Sequence, residues 1–310
     1  MEKNSKIYIA GHNGMVGSSI VRLLKKQGYD NLLLIDKNDL DLTIQNEVEI
    51  FFKKEKPEYV FLAAAKVGGI QANMDSQAEF LYVNSMIQLN IIHQAYKFNV
   101  RKVLILGSSC IYPTNSKQPI KEEYLLTDKL EPTNEGYALS KIIGLKMSEY
   151  YSKQYGMGII ALMPSNLYGQ NDSFDLNTSH VLSALIRKFY DAKVEKQKSI
   201  SLWGTGIAKR EFMYVDDFSE AAVFFMNYYD NCDFINIGWG KDISIKELAT
   251  LISNKIGYTG KIVWDDTKPD GMLRKCMDVS KMKELGFTPK ITLDDGLDTM
   301  IDLYKNYEGN

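Results

Sequence analysis

The chain has 310 residues, of which 45% are hydrophobic and 25% are charged, and its formal net charge is −2. This balance indicates a globular protein and excludes a strong electrostatic attraction to nucleic acid or to an anionic membrane. The 3 cysteines are widely separated, without a C-x-x-C pair, so neither a disulfide framework nor a metal site is expected.

Apolar runs of strand length recur along the first half of the chain, and longer amphipathic segments separate them. This alternation predicts an α/β fold, a Rossmann-type doubly wound parallel sheet. No apolar run approaches the roughly 20 residues of a membrane span, and the first strand leaves no room for a signal peptide, which predicts a cytoplasmic protein. The predicted strands are Ile7–Ala10, Leu32–Ile35, Tyr59–Ala64, Val103–Leu106, Ile159–Met163 and, later, Phe234–Ile237, and the predicted helices are Ser18–Lys26, Gln77–Asn99 and Tyr137–Tyr155.

After about Pro164 the pattern changes to shorter elements, which predicts a smaller carboxyl-terminal α/β lobe that binds the substrate. The charged run Asp191–Lys198 is expected to be a solvated loop or helix end. We predict a dinucleotide-binding Rossmann domain over residues 1–165 and a lobe over 166–310, with some segments of the lobe returning to the first domain. The predicted elements of this part are helices near Val181–Tyr190, Asp217–Tyr229 and Ile245–Ile256 and a strand near Ile200–Trp203.

A glycine-rich turn, GHNGMVG, follows the first predicted strand directly. Glycines at this spacing make a tight turn, let the backbone approach a pyrophosphate and let the next helix pack closely, while free N–H groups at the helix start attract phosphate. The turn therefore predicts a dinucleotide site. Its spacing resembles the fingerprint of extended short-chain dehydrogenases/reductases. The expected contacts are Gly11, Asn13, Gly14, Met15, Val16 and Gly17.

Residues at the end of the second predicted strand bind the adenosine ribose of such a cofactor. Asp36 favours NAD because a carboxylate binds a 2′-hydroxyl. Lys37, or Arg101 if it lies nearby, favours NADP because a cation neutralises a 2′-phosphate. The residues alone leave this choice open, and they also allow Asp36 and Lys37 to be plain exposed residues after a strand.

The run YALSK places Tyr137 and Lys141 four residues apart on a predicted helix, and Ser108 lies upstream at a strand end. Residues at i and i+4 share a helix face, so the ammonium of Lys141 is expected to lower the pKa of the Tyr137 phenol. Such a phenol gives a proton to a carbonyl oxygen as hydride reaches the carbon, and a serine holds the same oxygen. The three residues predict a carbonyl reductase.

Several longer stretches of sequence resemble one family within these dehydrogenases/reductases. GSSCIYP, EPTNEGYALSK, NLYGQNDSFDLNTSHVLSALIRKF, WGTGIAKREFMYVDD and TKPDGMLRK resemble segments of the GDP-L-fucose synthase family, and the similarity extends from about Ile7 to Gly286. The resemblance implies an NADP(H)-dependent enzyme that reduces the C4 ketone of a GDP-4-keto-6-deoxyhexose after inverting C3 and C5, giving GDP-L-fucose. It also implies a homodimer that pairs through the two long helices, a claim that rests on fold analogy.

The family resemblance implies that Cys110 and His180 are the base and the acid of the two inversions. A carbonyl at C4 acidifies the hydrogens on its neighbours, so inversion requires two groups on opposite faces of the ring. The plainer interpretations are a packed thiol at Cys110 and a capping or surface residue at His180. His12 and His93 are expected to be structural.

By position, further family contacts carry over to this sequence, in addition to Lys141, which is expected to bind the nicotinamide ribose. Trp203 could equally belong to the core of the lobe. The expected cofactor neighbours are Leu106, Gly107, Ser109, Pro164, Asn166, Leu167 and His180, with Ser165 between them, and the expected substrate contacts are Ser109, Asn166, Lys188, Trp203, Arg210 and Asp270.

The sequence departs from the family pattern at several positions, and these departures bear on the cofactor and the sugar. Asn13 stands where the family often has arginine, Gly238-Trp239-Gly240 replaces Gly-Thr-Gly, and Met272-Leu273 replaces Thr-Pro. Two alternatives therefore stay open: a C4-reductase without epimerase activity that acts on a related GDP-4-keto sugar such as a heptose for capsule or lipopolysaccharide, and a cofactor-sensing regulatory protein. Retention of Ser108, Tyr137 and Lys141 argues against the second.

Overall fold

The computed structural model describes residues 1–176, 179–268 and 270–308 of the chain. Its strands, in chain order, are β1 (Ile7–Ala10), β2 (Leu32–Leu33), β3 (Tyr59–Leu62), β4 (Lys102–Leu106), β5 (Ile159–Pro164), β6 (Asn166–Tyr168), β7 (Ser199–Trp203), β8 (Lys209–Tyr214), β9 (Ile235–Ile237), β10 (Asp242–Ser244), β11 (Lys261–Asp265) and β12 (Arg274–Lys275). Its α-helices are α1 (Met15–Lys26), α2 (Gln45–Glu55), α3 (Ile70–Asp75), α4 (Gln77–Lys97), α5 (Glu135–Tyr155), α6 (Val181–Val194), α7 (Val215–Tyr228), α8 (Ile245–Ile256), α9 (Ser280–Glu284) and α10 (Leu293–Glu308).

The central sheet has six parallel strands in the order β2-β1-β3-β4-β5-β9. The inner strands are buried along nearly their whole length because helices cover both faces of the sheet. Helices α4 and α5 pack against each other, and α1 packs against α7. The predicted doubly wound α/β fold is confirmed. Its strand order reverses between β1 and β3, the point at which open sheets of this kind bind ligands.

Most predicted elements are present, with shifted ends. The second strand is confined to Leu32–Leu33 rather than reaching Ile35, and the third ends at Leu62 rather than at Ala64. Helices α2 and α10 were not predicted. In α2 the buried side chains Val48, Phe51 and Phe52 follow helical spacing, but charged residues surround them and weaken the signal.

Two apolar cores divide the described residues. The larger core lies against the central sheet and includes side chains from α7, β9 and α9, so late segments of the chain return to it. The smaller core is built from β6–β8 and from helices α6, α8 and α10. Strand β8 is central to this lobe, because it pairs with β6 and β12 in parallel and with β10 in the antiparallel direction.

Two features are absent from the described part of the chain. None of its helices is both long and apolar enough to cross a membrane. Within the same residues, no cluster of His, Cys, Asp and Glu side chains is arranged to hold a metal ion.

Candidate active site

The glycine-rich turn lies between β1 and α1, at the carboxyl end of the sheet. Gly11 has φ +82°, and a Cβ on it would lie 2.6 Å from the backbone nitrogen of Ala64. A Cβ on Gly17 would lie 2.1 Å from the carbonyl oxygen of Gly11. Only hydrogen atoms fit at both positions, so the backbone of the turn packs closely and the amino end of α1 opens toward the strand ends. This cradle suits a pyrophosphate.

Asp36 lies beside this turn and is exposed. The amide of Asn13 donates a hydrogen bond to its carboxylate, and Nε2 of His12 lies 3.7 Å from the same oxygen. Lys37 is exposed next to it. The suggestion that Arg101 reaches this ribose site is wrong, because Arg101 precedes β4 and pairs with Glu58 before β3, at the amino ends of the strands.

Ser108, Tyr137 and Lys141 come together at the carboxyl end of β4. Ser108 follows the strand and accepts a hydrogen bond from the backbone N–H of Cys110 at 3.2 Å, and its hydroxyl lies close enough to Tyr137 to oppose the rise in the pKa of that phenol. The ammonium of Lys141 lies 5.6 Å from the centre of the Tyr137 ring. It donates to the carbonyl oxygen of Leu106 at 2.9 Å.

The protonation of this group differs from the expectation. Burial raises the pKa of Tyr137, and the nearby Cys110 adds to the rise while the Ser108 hydroxyl opposes it. Burial also lowers the pKa of Lys141 to about 8. The expected lowering of the Tyr137 pKa by Lys141 is therefore wrong here, because desolvation of the phenol dominates. Tyr137 therefore stays protonated at neutral pH and can donate its hydroxyl proton.

Cys110 is the middle residue of the single 3₁₀ turn Ser109–Ile111 after β4 and is half-buried. Its Sγ is 3.4 Å from Nδ2 of Asn134 and 3.6 Å from Nζ of Lys275. Cys110 lies close enough to affect the pKa of both Tyr137 and Arg210, so it stands between the reductase residues and the lobe. Cys110 packs against the main apolar core, as the packed-thiol interpretation expects, but two polar donors also face its sulfur.

His180 is exposed and stands immediately before α6, but its side chain does not cap the helix. Asp172 lies close enough to feel the His180 imidazole: burial raises the pKa of Asp172, and the Ser183 hydroxyl and the His180 imidazole oppose that rise. Asn177 and Thr178 of the same sequence motif are outside the described residues.

Several of the predicted nucleotide contacts lie on elements of the lobe: Lys188 on α6, Trp203 on β7 and Arg210 on β8. Lys188 is half-buried, its pKa is lowered by burial, and it forms no ion pair or hydrogen bond with any residue in the described ranges. Trp203 is 59% exposed, which excludes a place in the lobe core. Nζ of Lys268 lies 5.4 Å from its ring. An exposed indole and an unpaired cation are side chains of the kind that bind a purine nucleoside diphosphate.

Arg210 on β8 holds the loop before β12. Its guanidinium donates to the carbonyl oxygen of Met272 and, at 3.2 Å, to that of Asp270. The Asp270 carboxylate in turn accepts hydrogen bonds from the backbone and hydroxyl of Thr205. Pro269, within the same KPDG run, is not among the described residues. Leu273 is 64% exposed, so an apolar side chain ends this loop.

The remaining predicted contacts follow β4 and β5 at the same sheet edge. A Cβ on Gly107 would lie 2.0 Å from Sδ of Met163, so β4 and β5 approach closely there. Asn166 donates from Nδ2 to the carbonyl oxygen of Glu211 at 2.7 Å, which ties β6 to β8. Leu106, Ser109 and Ser165 are buried, and Pro164 and Leu167 are half-buried.

Sequence reasoning missed Asn134, Lys275, Asp172 and Glu211. Asn134 precedes the YALSK helix and reads as an ordinary helix cap. Lys275 is separated from Cys110 by 165 positions, and only the pairing of β12 with β8 brings it near. Asp172 and Glu211 lay inside quoted motifs, yet their burial was not visible from spacing.

The chain is similar to characterised families along nearly its whole length. A profile of the NAD dependent epimerase/dehydratase family matches residues 7–238. GDP-L-fucose synthase 1 of Arabidopsis thaliana is 52% identical over 303 residues, which cover 98% of this chain and 94% of that protein. GDP-L-fucose synthase of Escherichia coli (strain K12) is 45% identical over 301 residues, covering 94% of each.

A solved structure is similar in both fold and sequence. It is a GDP-mannoheptose C4 reductase from Campylobacter jejuni with NADP bound, and its TM-score against this chain is 0.91. The two are 40% identical, and the match covers 98% of this chain and 99% of the other. The sheet, the lobe and the segments that carry the site are therefore shared architecture.

Proposed function

The chain belongs to the NAD dependent epimerase/dehydratase family and, within it, to the GDP-L-fucose synthases, and on this premise we propose that it converts a GDP-4-keto-6-deoxyhexose into GDP-L-fucose. The reaction comprises inversion at C3 and C5 and reduction of the C4 ketone with NADPH. The observation that carries the proposal is the placement of Cys110 beside Tyr137, which puts a candidate base next to a candidate carbonyl proton donor.

The residues present fit NADP(H). The close-packed turn at Gly11 and Gly17 and the amino end of α1 would hold the pyrophosphate. Lys37 would neutralise the 2′-phosphate, and Lys141 would hold the nicotinamide ribose. When bound, the reduced cofactor supplies a hydride to C4 of the sugar.

In the reductive half of the reaction, Ser108 positions the C4 oxygen through its hydroxyl. Tyr137 donates its proton to that oxygen, and its raised pKa keeps the proton available at neutral pH. Lys141 supplies a positive charge near the phenolate that remains, which stabilises the transition state.

In the epimerising half, Cys110 removes a proton from the carbon next to the ketone and His180 returns one to the opposite face. The negative charge that develops on the C4 oxygen is held by Ser108 and Tyr137, the same pair that serves the reduction. Lys188, Trp203 and Arg210 anchor the GDP moiety in the lobe. This sharing of one oxygen-binding pair explains why both steps fit in one site.

A second candidate function is C4 reduction alone, with a heptose as the sugar. The 40% identity to a GDP-mannoheptose C4 reductase favours it. The exposed Leu273 favours it as well, because a bulky apolar residue ends the loop that faces the lobe. In that case Cys110 and His180 would be idle, and the product would serve capsule or lipopolysaccharide synthesis.

Two further features belong to the proposal. We expect a homodimer in which α4 and α5 of each subunit meet in a four-helix bundle, because these helices pack side by side and expose Tyr82, Ile143, Tyr150 and Tyr155. We expect a cytoplasmic enzyme, since nucleotide sugars are made where the cofactor is reduced.

The test is NADPH oxidation with GDP-4-keto-6-deoxy-D-mannose in deuterated water, with the product identified by NMR. GDP-L-fucose carrying deuterium at C3 and C5 supports the bifunctional reaction, and Cys110→Ser should abolish the labelling. Oxidation without label, or only with a seven-carbon or pre-epimerised ketosugar, would favour the reductase alone.

A further inference from the structure

The sulfur of Cys110 has two hydrogen-bond donors from distant parts of the chain. Nδ2 of Asn134 lies 3.4 Å and Nζ of Lys275 lies 3.6 Å from it, distances suited to a large acceptor such as sulfur. We propose that Lys275, assisted by Asn134, is a positioning residue that stabilises and aims the Cys110 thiolate for proton abstraction. The inference rests on the epimerase half of the proposed function.

The sheet of the lobe determines where Lys275 lies. β12 runs parallel to β8, and Lys275 is the direct partner of Arg210 in that pairing. Lys275 is half-buried, and within the described residues its ammonium has no carboxylate partner. Its positive charge is therefore not neutralised by an acid. Arg210 is the other cation that faces Cys110, but its guanidinium donates hydrogen bonds to carbonyl oxygens of the loop before β12.

Asn134 supplies a second, independent observation. It is the residue before α5, where an asparagine side chain ordinarily accepts a hydrogen bond from the helix backbone. Its side chain makes no such capping bond, and its Oδ1 is buried without a hydrogen-bond partner among the described residues. Instead of capping α5, the side-chain amide of Asn134 donates from Nδ2 to the sulfur of Cys110.

The chemistry explains why the sulfur needs these donors. A thiolate must exist before it can take a proton, and hydrogen bonds from a cation and an amide favour that charged form. On abstraction the S–H bond forms and the C–H bond breaks. Its electron pair moves toward the C4 oxygen, where Ser108 and Tyr137 receive the charge. The titratable and charged groups that face Cys110 are Lys275, Arg210 and Tyr137.

The experiment compares Lys275→Met with Lys275→Arg and uses two readouts. The first is the rate at which iodoacetamide alkylates Cys110 at neutral pH, followed by peptide mass spectrometry with Cys232 as the reference thiol in the same sample. The second is the rate of deuterium entry into C3 and C5 of GDP-4-keto-6-deoxy-D-mannose. Lys275→Met should slow both by about tenfold or more, the effect of losing a charged hydrogen bond. Lys275→Arg should restore most of each rate.

Lys209→Met is the matched control, because Lys209 lies on the same strand pair one position away, on the opposite face. GDP binding by each variant shows whether the lobe is intact, and Lys275→Gln replaces Lys275→Met if the latter fails to fold. Wild-type alkylation rates in Lys275→Met, or a loss that arginine does not restore, would overturn the proposal. A wild-type enzyme that takes up no deuterium would instead refute the epimerase function, and the alkylation comparison would still decide the role of Lys275.

Discussion

Lys141 and Tyr137 lie one turn apart on α5, with the Lys141 ammonium 5.6 Å from the centre of the Tyr137 ring and hydrogen-bonded to the carbonyl of Leu106. Burial acts on the two residues in opposite directions. It raises the pKa of Tyr137 and lowers the pKa of Lys141 to about 8. The Tyr137 phenol therefore keeps its proton at neutral pH, whereas the Lys141 ammonium loses its proton and its charge in mildly alkaline solution.

The first prediction concerns the pH dependence of reduction. Lys141 is charged below about pH 8 and neutral above it, so kcat/KM for ketosugar reduction should fall as the pH rises through that value. The measurement is NADPH oxidation between pH 6 and 10 at low substrate concentration. Lys141→Arg keeps its charge throughout this range and should remove the alkaline fall, although the absolute rate will be lower. A wild-type profile that stays flat beyond about pH 9 would contradict the role given to Lys141.

The second prediction separates the two halves of the reaction. Tyr137→Phe removes the proton donor, so C4 reduction should fall by about 10²- to 10⁴-fold. Deuterium entry at C3 and C5 should continue at a reduced rate, since Ser108 still holds the oxygen. The control is Tyr151→Phe, a tyrosine on the same helix whose hydroxyl bonds His93 instead. Equal losses of reduction and labelling would show that Tyr137 acts mainly by holding the C4 oxygen in both steps and not by donating the proton of the reduction.

The parts of the site that could be predicted from sequence are those that depend on neighbours in the chain. The glycine turn follows β1 directly, and Tyr137 and Lys141 share a helix, so spacing alone placed them. Lys275 could not be placed next to Cys110, because their contact depends on the register of β12 against β8. Arg101 does not lie near the ribose site, because it precedes β4 whereas Asp36 follows β2, and these are opposite ends of a parallel sheet.

Burial explains the other differences between expectation and structure. The lowered pKa expected for Tyr137 considered only the charge of Lys141, and the structure adds the larger cost of desolvating the phenolate. Trp203 is a large aromatic residue of the kind usually found in a core, yet it is 59% exposed. The strand near Leu32–Ile35 is shortened because only Leu32 and Leu33 pair with β1, opposite Ile7 and Tyr8.

The third prediction contrasts two glycines of the turn. A Cβ on Gly17 would lie 2.1 Å from the carbonyl oxygen of Gly11, whereas a Cβ on Gly14 would meet the same oxygen at 3.5 Å, an ordinary contact. Gly17→Ala should therefore push α1 away from the turn and weaken NADPH binding by about a hundredfold. Gly14→Ala should change it only a few-fold. Fluorescence titration with NADPH measures both, and the circular dichroism spectrum checks folding. Similar affinities in the two variants would contradict the close-packed turn.

The fourth prediction concerns the GDP moiety. Lys188 is half-buried without an acidic partner among the described residues, so its charge is available to a diphosphate. Lys188→Met should weaken GDP binding by about tenfold, and Lys198→Met, an exposed lysine on the same lobe, should not. Isothermal titration calorimetry of each variant with GDP gives the comparison. If both variants bind GDP as the wild type does, the diphosphate lies elsewhere.

The last prediction concerns Glu211, a carboxyl group buried on β8 beneath the site. Its two oxygens accept hydrogen bonds from the backbone of Gly240 at 2.7 Å and of Met277 at 2.8 Å, which join β8 to the segments after β9 and β12. Burial raises its pKa from 4.5 to about 7, although these bonds oppose the rise. The folded protein thus prefers Glu211 protonated in a range where the unfolded chain has already ionised it.

The direction in which stability changes with pH follows from this difference in pKa between the folded and unfolded states. The stability that Glu211 contributes is fully present below about pH 4.5 and is lost as the pH rises to about 7, a change of about 3 kcal/mol at roughly 1.4 kcal/mol per pKa unit. Glu211→Gln, which does not titrate, should lose this component of the pH dependence. Its stability should also be lower at acid pH, because its amide NH₂ opposes a backbone N–H. Urea unfolding at about pH 5 and pH 8 measures the two slopes, and Glu220→Gln on the surface is the control. Parallel pH dependence in wild type and Glu211→Gln would mean that the buried carboxyl is ionised in the folded protein throughout this range.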